Sequence, residues 1–204
     1  MNIYKIGLTG THCVHKSTIC RALGKRLKDG GHEVLVIEEN VRKSPDLVLP
    51  PDGNYLHFET LSLFRQIVEE IEGYYKILEN INKNGKTGFL ICDRTVFDVI
   101  PYSCYPIIMS GEIDLSDCAF FIDAANFYSQ RIQPYDIIFF LRPDLDYKPE
   151  DDGFRFIDPV HRAVIDKLFE EIYGDQVIKS SIKEIPPIMD LEIKLNKILE
   201  VLPI

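Results

Sequence analysis

Gly10-Thr11-His12-Cys13-Val14-His15-Lys16-Ser17-Thr18 lies between two segments of different periodicity. Before it runs Ile3-Tyr4-Lys5-Ile6-Gly7-Leu8-Thr9, an apolar stretch of strand character. After it, Ile19, Leu23 and Leu27 recur at helical spacing. Strand, glycine turn and helix in direct succession form the context of the phosphate-binding loop G-x-x-x-x-G-K-[ST]. In such a loop, backbone N–H groups and the helix N-terminus cradle phosphate oxygens. The lysine reaches the outer phosphates and the serine hydroxyl ligates magnesium. The run from Gly10 to Thr18 is therefore the candidate nucleotide-binding loop, with Lys16 as clamp and Ser17 as metal ligand.

His15 occupies the place of the second glycine. Glycine is usual there because it reaches positive φ and lets the backbone approach phosphate. Histidine enters the left-handed region more readily than most residues. The loop is thus expected to keep its shape, with an imidazole beside the phosphates. Two other readings stay open: a chance strand–helix turn, and a P-loop fold that has lost tight nucleotide binding. His12, Cys13 and His15 match no structural zinc spacing and read as loop decoration.

A chain of 204 residues is most simply one domain, residues 1–204, large enough for a full α/β core. The net charge of −9 argues against nonspecific nucleic-acid binding, which needs a basic surface. No apolar run is long enough to span a bilayer, and the first strand starts where a signal peptide would lie, so neither membrane nor secretion is expected. Five cysteines (Cys13, Cys20, Cys92, Cys104, Cys118) form no C-x-x-C pair, which points to reduced thiols in a cytoplasm. Oligomeric state stays open, a homodimer among the options.

Apolar runs alternate with helical periodicity, predicting βαβ units, a mainly parallel five-stranded sheet and three α/β/α layers. Strands are expected at Ile3–Thr9, Val34–Ile37, Phe89–Asp93, Tyr135–Leu141 and, more weakly, Gln176–Lys179. Gly30-Gly31 marks the end of the first helix. A long helix over His57–Lys83 carries Leu61, Phe64, Val68, Ile71, Tyr75 and Leu78 at spacings of three and four. A helical patch from Thr95 is interrupted near Pro101 and Pro106. Ser116 caps a helix to Ile132, Asp158-Pro159 starts one that runs to Tyr173 with Gly174 past its end, and the last spans Met189–Val201.

Ligands of doubly wound sheets bind beyond the C-terminal strand ends. Four polar groups fall there: the loop after strand one, Glu38-Glu39 after strand two, Asp93-Arg94 after strand three and Arg142 after strand four. Phosphoryl transfer needs cationic clamps, magnesium and an acid that orients or deprotonates the attacking hydroxyl. Lys16 and Ser17 supply a clamp and a metal ligand. Asp93 or Glu39 supplies the acid or a further hold on magnesium, and Arg94 clamps substrate or phosphate. The turn-rich stretch 143–162, with Asp151-Asp152-Gly153-Phe154-Arg155 and Arg162, reads as a lid that brings arginines to developing charge; a solvated acidic loop is the alternative.

In order, the P-loop, Glu39-Asn40-Val41-Arg42, Asp93-Arg94-Thr95-Val96-Phe97-Asp98-Val99, Tyr135-Asp136-Ile137-Ile138-Phe139-Phe140-Leu141 and Asp151-Asp152-Gly153-Phe154-Arg155 resemble the P-loop nucleoside and nucleotide kinases. The resemblance is closest to the AAA-type ATPase group related to nicotinamide riboside kinase domains. It covers nearly the whole chain and implies a P-loop kinase fold. It also implies phosphate and magnesium binding by Lys16, Ser17 and Thr18. Glu39, or equally Glu38, would be the acid beside the acceptor, with Asp93 and Arg94 completing the catalytic group. Arg155 and Arg162 would belong to the lid, and Gln66 would be a polar substrate contact. The activity expected is Mg²⁺- and ATP-dependent transfer of a phosphoryl group to a nucleoside, a nucleotide or another small hydroxyl compound. A nucleotide-driven switch without a small acceptor, and a degenerate P-loop protein, are the alternatives. ATP and GTP are not separated, since no guanine-reading Asn-Lys-x-Asp pattern is present.

Overall fold

The computed structural model describes residues 2–12, 14–39, 55–110, 115–143, 158–174, 181–187 and 190–203. Five strands, β1 (Ile3–Thr9), β2 (Glu33–Ile37), β3 (Gly88–Asp93), β4 (Ile137–Leu141) and β5 (Ile182–Ile185), form one parallel sheet in the order β2-β3-β1-β4-β5. Among the described residues six α-helices accompany them: α1 (Lys16–Asp29), α2 (Tyr55–Asn84), α3 (Val99–Ser110), α4 (Leu115–Phe127), α5 (Pro159–Gly174) and α6 (Leu191–Leu199). Among the described residues no helix is long and apolar enough to cross a membrane.

Alternation along the strands divides the core. Ile6, Leu8, Phe89, Ile91, Phe139 and Leu141 pack against Ile19, Leu23 and Leu27 of α1 and Leu195 and Ile198 of α6. Leu90, Cys92 and Ile138, on the other face, meet α2, α3 and α4, while Phe140 packs on Ile165 and Phe169 of α5. Both faces are covered, so the strands read as continuous apolar runs. The result is the expected three-layer α/β/α arrangement. The chain leaves β1 toward β2 on one side and later crosses from β3 to β4 on the other. That reversal opens a crevice at the C-terminal ends of β1 and β3.

Several boundaries differ from the sequence reading. The expected fifth strand at Gln176–Lys179 falls outside the described residues; among them the fifth strand lies at Ile182–Ile185. It is an edge strand with only Ile185 deeply buried, so its periodicity is weak. Pro101 and Pro106 lie within α3 rather than interrupting it. Pro101 is in the first turn, where the missing N–H costs least. Ser116 is inside α4, which starts at Leu115, and is not its cap. That segment's last turn widens into a π-turn at Tyr128–Ile132. Gly174 closes α5 rather than following it. Asp158 does cap α5: its Oδ1 accepts from the Val160 N–H at 2.9 Å, with Pro159 the first helical residue.

Candidate active site

Gly10 follows β1 with φ 132°, and a Cβ at this position would collide with the Leu141 carbonyl oxygen at the end of β4. Both the dihedral and the space require glycine. At the other end of the loop His15 adopts φ 66°, ψ 24°, the left-handed conformation expected of it. Its carbonyl accepts the Ile19 N–H at 2.9 Å, the first bond of α1. No acidic side chain occupies the first turn of α1, and Arg26 and Lys28 lie in its last. The N-terminal amides therefore present their partial positive charge to an anion without competition from a carboxylate on that turn.

Lys16 is buried, and its Nζ donates to the carbonyls of Gly10 (2.6 Å) and Thr11 (2.8 Å). Burial, aided by Arg94, lowers its ammonium pKa to about 8; Asp98, Glu39 and Asp93 pull the other way. Ser17 is half-buried in the first turn of α1 and Thr18 faces solvent. Cys13 lies outside the described residues.

Asp93 ends β3 with 2 % exposure, and its Oδ1 has no hydrogen-bond partner among the described residues. A buried carboxylate oxygen left unpaired beside a P-loop fits a cation or its water shell. No group of three or more metal-ligating side chains occurs among the described residues. Magnesium does not need one, since it takes one or two protein oxygens and completes its octahedron with water and phosphate. Ser17 and Asp93 fit that requirement.

The residue after Asp93 organises the crevice. Arg94 has φ 97°, rare for a side-chain-bearing residue. Its N–H donates to the Leu8 carbonyl (3.1 Å) and its carbonyl accepts from Gln66 Nε2 (3.2 Å). The turn aims the guanidinium at Glu39 Oε1, 2.6 Å from Nε and 2.5 Å from Nη2. Nη1 lies 3.8 Å from Asp98 Oδ1, and the guanidinium carbon sits 5.3 Å from the Tyr102 ring centre. Glu38 and Glu39 lie in different surroundings. Glu39 is largely buried against Arg94, whereas Glu38 is half-exposed and lies 3.9 Å from Arg21 on the outer surface of α1.

Asp98, quoted in the motif but given no role from sequence, is the hub beneath Arg94. Its Oδ2 accepts Thr9 Oγ1 (2.9 Å), the Thr95 N–H (2.7 Å) and Thr95 Oγ1 (2.9 Å). Thr95 Oγ1 in turn accepts the Phe97 N–H at 3.2 Å, closing a capping box over a single 3₁₀ turn. Tyr173 of α5 donates to Thr9 Oγ1 at 2.9 Å. Burial pushes the Asp98 carboxyl up, against the pull of Arg94 and Lys16. The signal for it was the Thr-x-x-Asp spacing at Thr95 and Asp98, a helix-start signature directly after a strand-end acid.

α5 meets the loop through rings. His12 stacks with His161 at 6.1 Å and lies 5.2 Å from Tyr102; Tyr105 meets His161 edge-on at 4.4 Å. Burial first, then Arg94 and Lys16, hold the His12 imidazole well below its usual pKa, so it remains neutral. Arg162 is buried in the first turn of α5 next to His161. Arg155 and the rest of the expected lid from 144 to 157 lie outside the described residues. Arg142 is drawn away from the loop, bridging Asp166 (3.1 Å), Glu170 (3.4 Å) and Glu184 (4.0 Å), and so ties β4 to α5 and β5. Glu59 of α2 is one more buried acid, pushed up to about 8 by burial with Arg94 opposing.

No curated protein sequence is detectably similar to this one. Among solved structures, deoxyadenosine kinase from M. mycoides with the products dCMP and a flexible dCDP superposes with a TM-score of 0.68 at 19 % identity, over 96 % of this chain and 97 % of that one. The same enzyme with bound dCTP and with bound dATP gives TM-scores of 0.58 and 0.56 at 20 % identity, with the same coverage. At that identity the similarity establishes a shared fold. The sequence profile of the AAA domain family matches residues 5–183, most of the chain. Loop, strand order and profile agree: the chain belongs to the AAA domain family of P-loop proteins and has the fold of a P-loop nucleoside kinase.

Proposed function

We propose that this protein is a Mg²⁺–ATP-dependent kinase that phosphorylates a primary hydroxyl of a deoxynucleoside. The observation that carries the reading is the Glu39–Arg94 pair, fixed by Asp98 and Tyr102 in the crevice that holds Lys16. An acid at that place can take a hydroxyl proton, and an arginine beside it can neutralise the transferring phosphoryl group. The folds similar to this one supply the acceptor class, since those enzymes hold deoxynucleotides.

In this mechanism the amides of residues 10–18 and the Lys16 ammonium hold the outer phosphates, Lys16 exchanging two carbonyl partners for phosphate oxygens. Glu39 accepts the proton of the acceptor hydroxyl. The hydroxyl oxygen forms a bond to the γ-phosphorus as the bond to the β–γ bridging oxygen breaks, and ADP leaves. Arg94 steadies the equatorial oxygens. Magnesium, held by Ser17 and, directly or through water, by Asp93, would neutralise charge on the β- and γ-phosphates. Arg162, and Arg155 with the remainder of 143–162, act as the lid within a single domain. Reduced thiols, three of them buried (Cys20, Cys92, Cys118), suit a cytoplasmic setting.

Thermal shift tests the nucleotide half of this reading, because a ligand of the native state stabilises it by mass action. Mg²⁺–ATP should raise the melting temperature of the wild type and not that of Lys16→Ala. Deoxyadenosine or deoxycytidine should add a further rise. Equal rises in wild type and Lys16→Ala would reject the P-loop assignment. A rise with ATP that no nucleoside or nucleotide augments would favour a switch.

A further inference from the structure

The left-handed turn at Arg94 is held from behind by a buried polar network. Glu70, on α2, is fully buried. Its Oε1 accepts Gln66 Nε2 (2.7 Å) and the Tyr135 hydroxyl (2.7 Å). Its Oε2 lies 2.5 Å from Lys5 Nζ and 3.0 Å from the Tyr128 hydroxyl. Lys5 in turn donates to the Gln133 carbonyl at 3.0 Å and sits 3.9 Å from the Tyr135 ring centre.

Two arms of this network reach the segment after β3. Gln66, oriented by Glu70, gives an amide proton to the Arg94 carbonyl. Tyr135 donates its own proton to Glu70, so its oxygen is left to accept the Val96 N–H at 3.0 Å. Glu70 therefore fixes the peptide groups on both sides of Thr95, while Leu8 holds the Arg94 N–H. A side-chain-bearing residue at φ 97° stays there only when its surroundings over-determine it. A buried charge pair is weak evidence of stability, since an apolar pair of similar size often serves as well. Its retention here is explained by what it orients.

We propose that Glu70, neutralised by Lys5, is a positioning residue for Arg94, acting through Gln66 and Tyr135. It touches no substrate; it keeps the guanidinium aligned with Glu39. The kinetic part of this claim rests on the kinase reading above, and the structural part does not.

Lys5→Met/Glu70→Leu removes both charges together and leaves Gln66 and Tyr135 without their acceptor. Arg94 Nε–H, assigned by its loss in Arg94→Lys, reports the alignment through its hydrogen-exchange rate in NMR spectra. The double variant should melt below the wild type, since buried donors lose their acceptor, and exchange this proton at least about tenfold faster. With Mg²⁺–ATP and deoxyadenosine or deoxycytidine, kcat should fall about tenfold to a hundredfold, the scale of a misplaced catalytic group, with KM for ATP within about twofold. Tyr135→Phe keeps the charge pair and loses one arm; it should show the same changes in smaller measure, and it decides the matter if the double variant does not fold. Unaltered Arg94 exchange overturns the proposal whatever the kinetics. If neither nucleoside is phosphorylated by the wild type, the kinase reading fails while the exchange measurement still decides this one.

Discussion

His15 combines an unusual residue with an unusual dihedral. At φ 66° a side-chain-bearing residue costs roughly 1–2 kcal/mol, which glycine would not incur. His15→Gly should therefore fold with equal or higher stability, by about 0–1 kcal/mol after the entropy of the added glycine, and bind Mg²⁺–ATP at least as tightly. Loss of binding in calorimetry would make the imidazole a ligand contact. Lys16 carries a second prediction. Its pKa, held down near 8 by burial, means that the free protein loses the clamp's charge as pH rises through about 8. Triphosphate binding needs the ammonium, so above that point each pH unit weakens affinity by up to about tenfold. Titration calorimetry at pH 7.5 and pH 9.5 should show affinity at least about tenfold lower at the higher pH, with proton uptake. Equal affinities would mean that Lys16 does not bear on phosphate.

At the scale of elements, α2 shows most clearly where sequence is informative and where it falls short. Its length and helical state were legible from apolar recurrence, but its buried face was not. Leu61, Phe64, Val68 and Tyr75 are 43–65 % exposed. Glu59, Ser62, Gln66 and Glu70, at spacings of three and four, are buried instead, beside Phe58, Leu63, Ile77 and Ile81. This polar stripe faces Lys5 and Arg94, which lie far away in sequence, so local periodicity could not reveal it. Glu59 gives the stripe a measurable signature. Between its ordinary pKa of 4.5 and about 8, the folded protein keeps a proton that the unfolded chain has lost. Stability therefore falls as pH rises through that window, and the full penalty stands above 8. Glu59→Gln should match the wild type at pH 4 and melt about 5–10 °C higher at pH 9. Identical melting curves at pH 9 would show that the Glu59 carboxyl carries no burial penalty. The loop was legible for the opposite reason. Strand, glycine and Lys-Ser lie within one short run, although the clash of any Cβ at Gly10 with Leu141 depends on β4 lying next to β1. Gly10→Ala should accordingly destabilise the protein, by about 1–3 kcal/mol, read as a lowered denaturant midpoint.

For the whole molecule, the parallel order β2-β3-β1-β4-β5 gathers the termini of three strands into one crevice. Alternating strand and helix signals predicted such a sheet; the strand-end residues Glu39, Asp93 and Arg94 could be singled out because strand ends are where doubly wound sheets bind. The Asp98 hub and the His12–His161 stack were missed, since each joins residues that only the folded chain brings together. As consecutive residues after β2, Glu38 and Glu39 point apart, one outward to Arg21 and the other inward to Arg94. The most direct measurement follows from that separation: formation of deoxynucleoside monophosphate from Mg²⁺–ATP and deoxyadenosine or deoxycytidine by wild type, Glu39→Gln and Glu38→Gln. Acceptor-dependent ATP consumption is expected in the wild type, a kcat lower by roughly a hundredfold or more in Glu39→Gln, the scale of general-base catalysis, and a near-wild-type rate in Glu38→Gln. Equal rates in Glu39→Gln and wild type, or ATP consumption that no acceptor stimulates, would contradict that expectation.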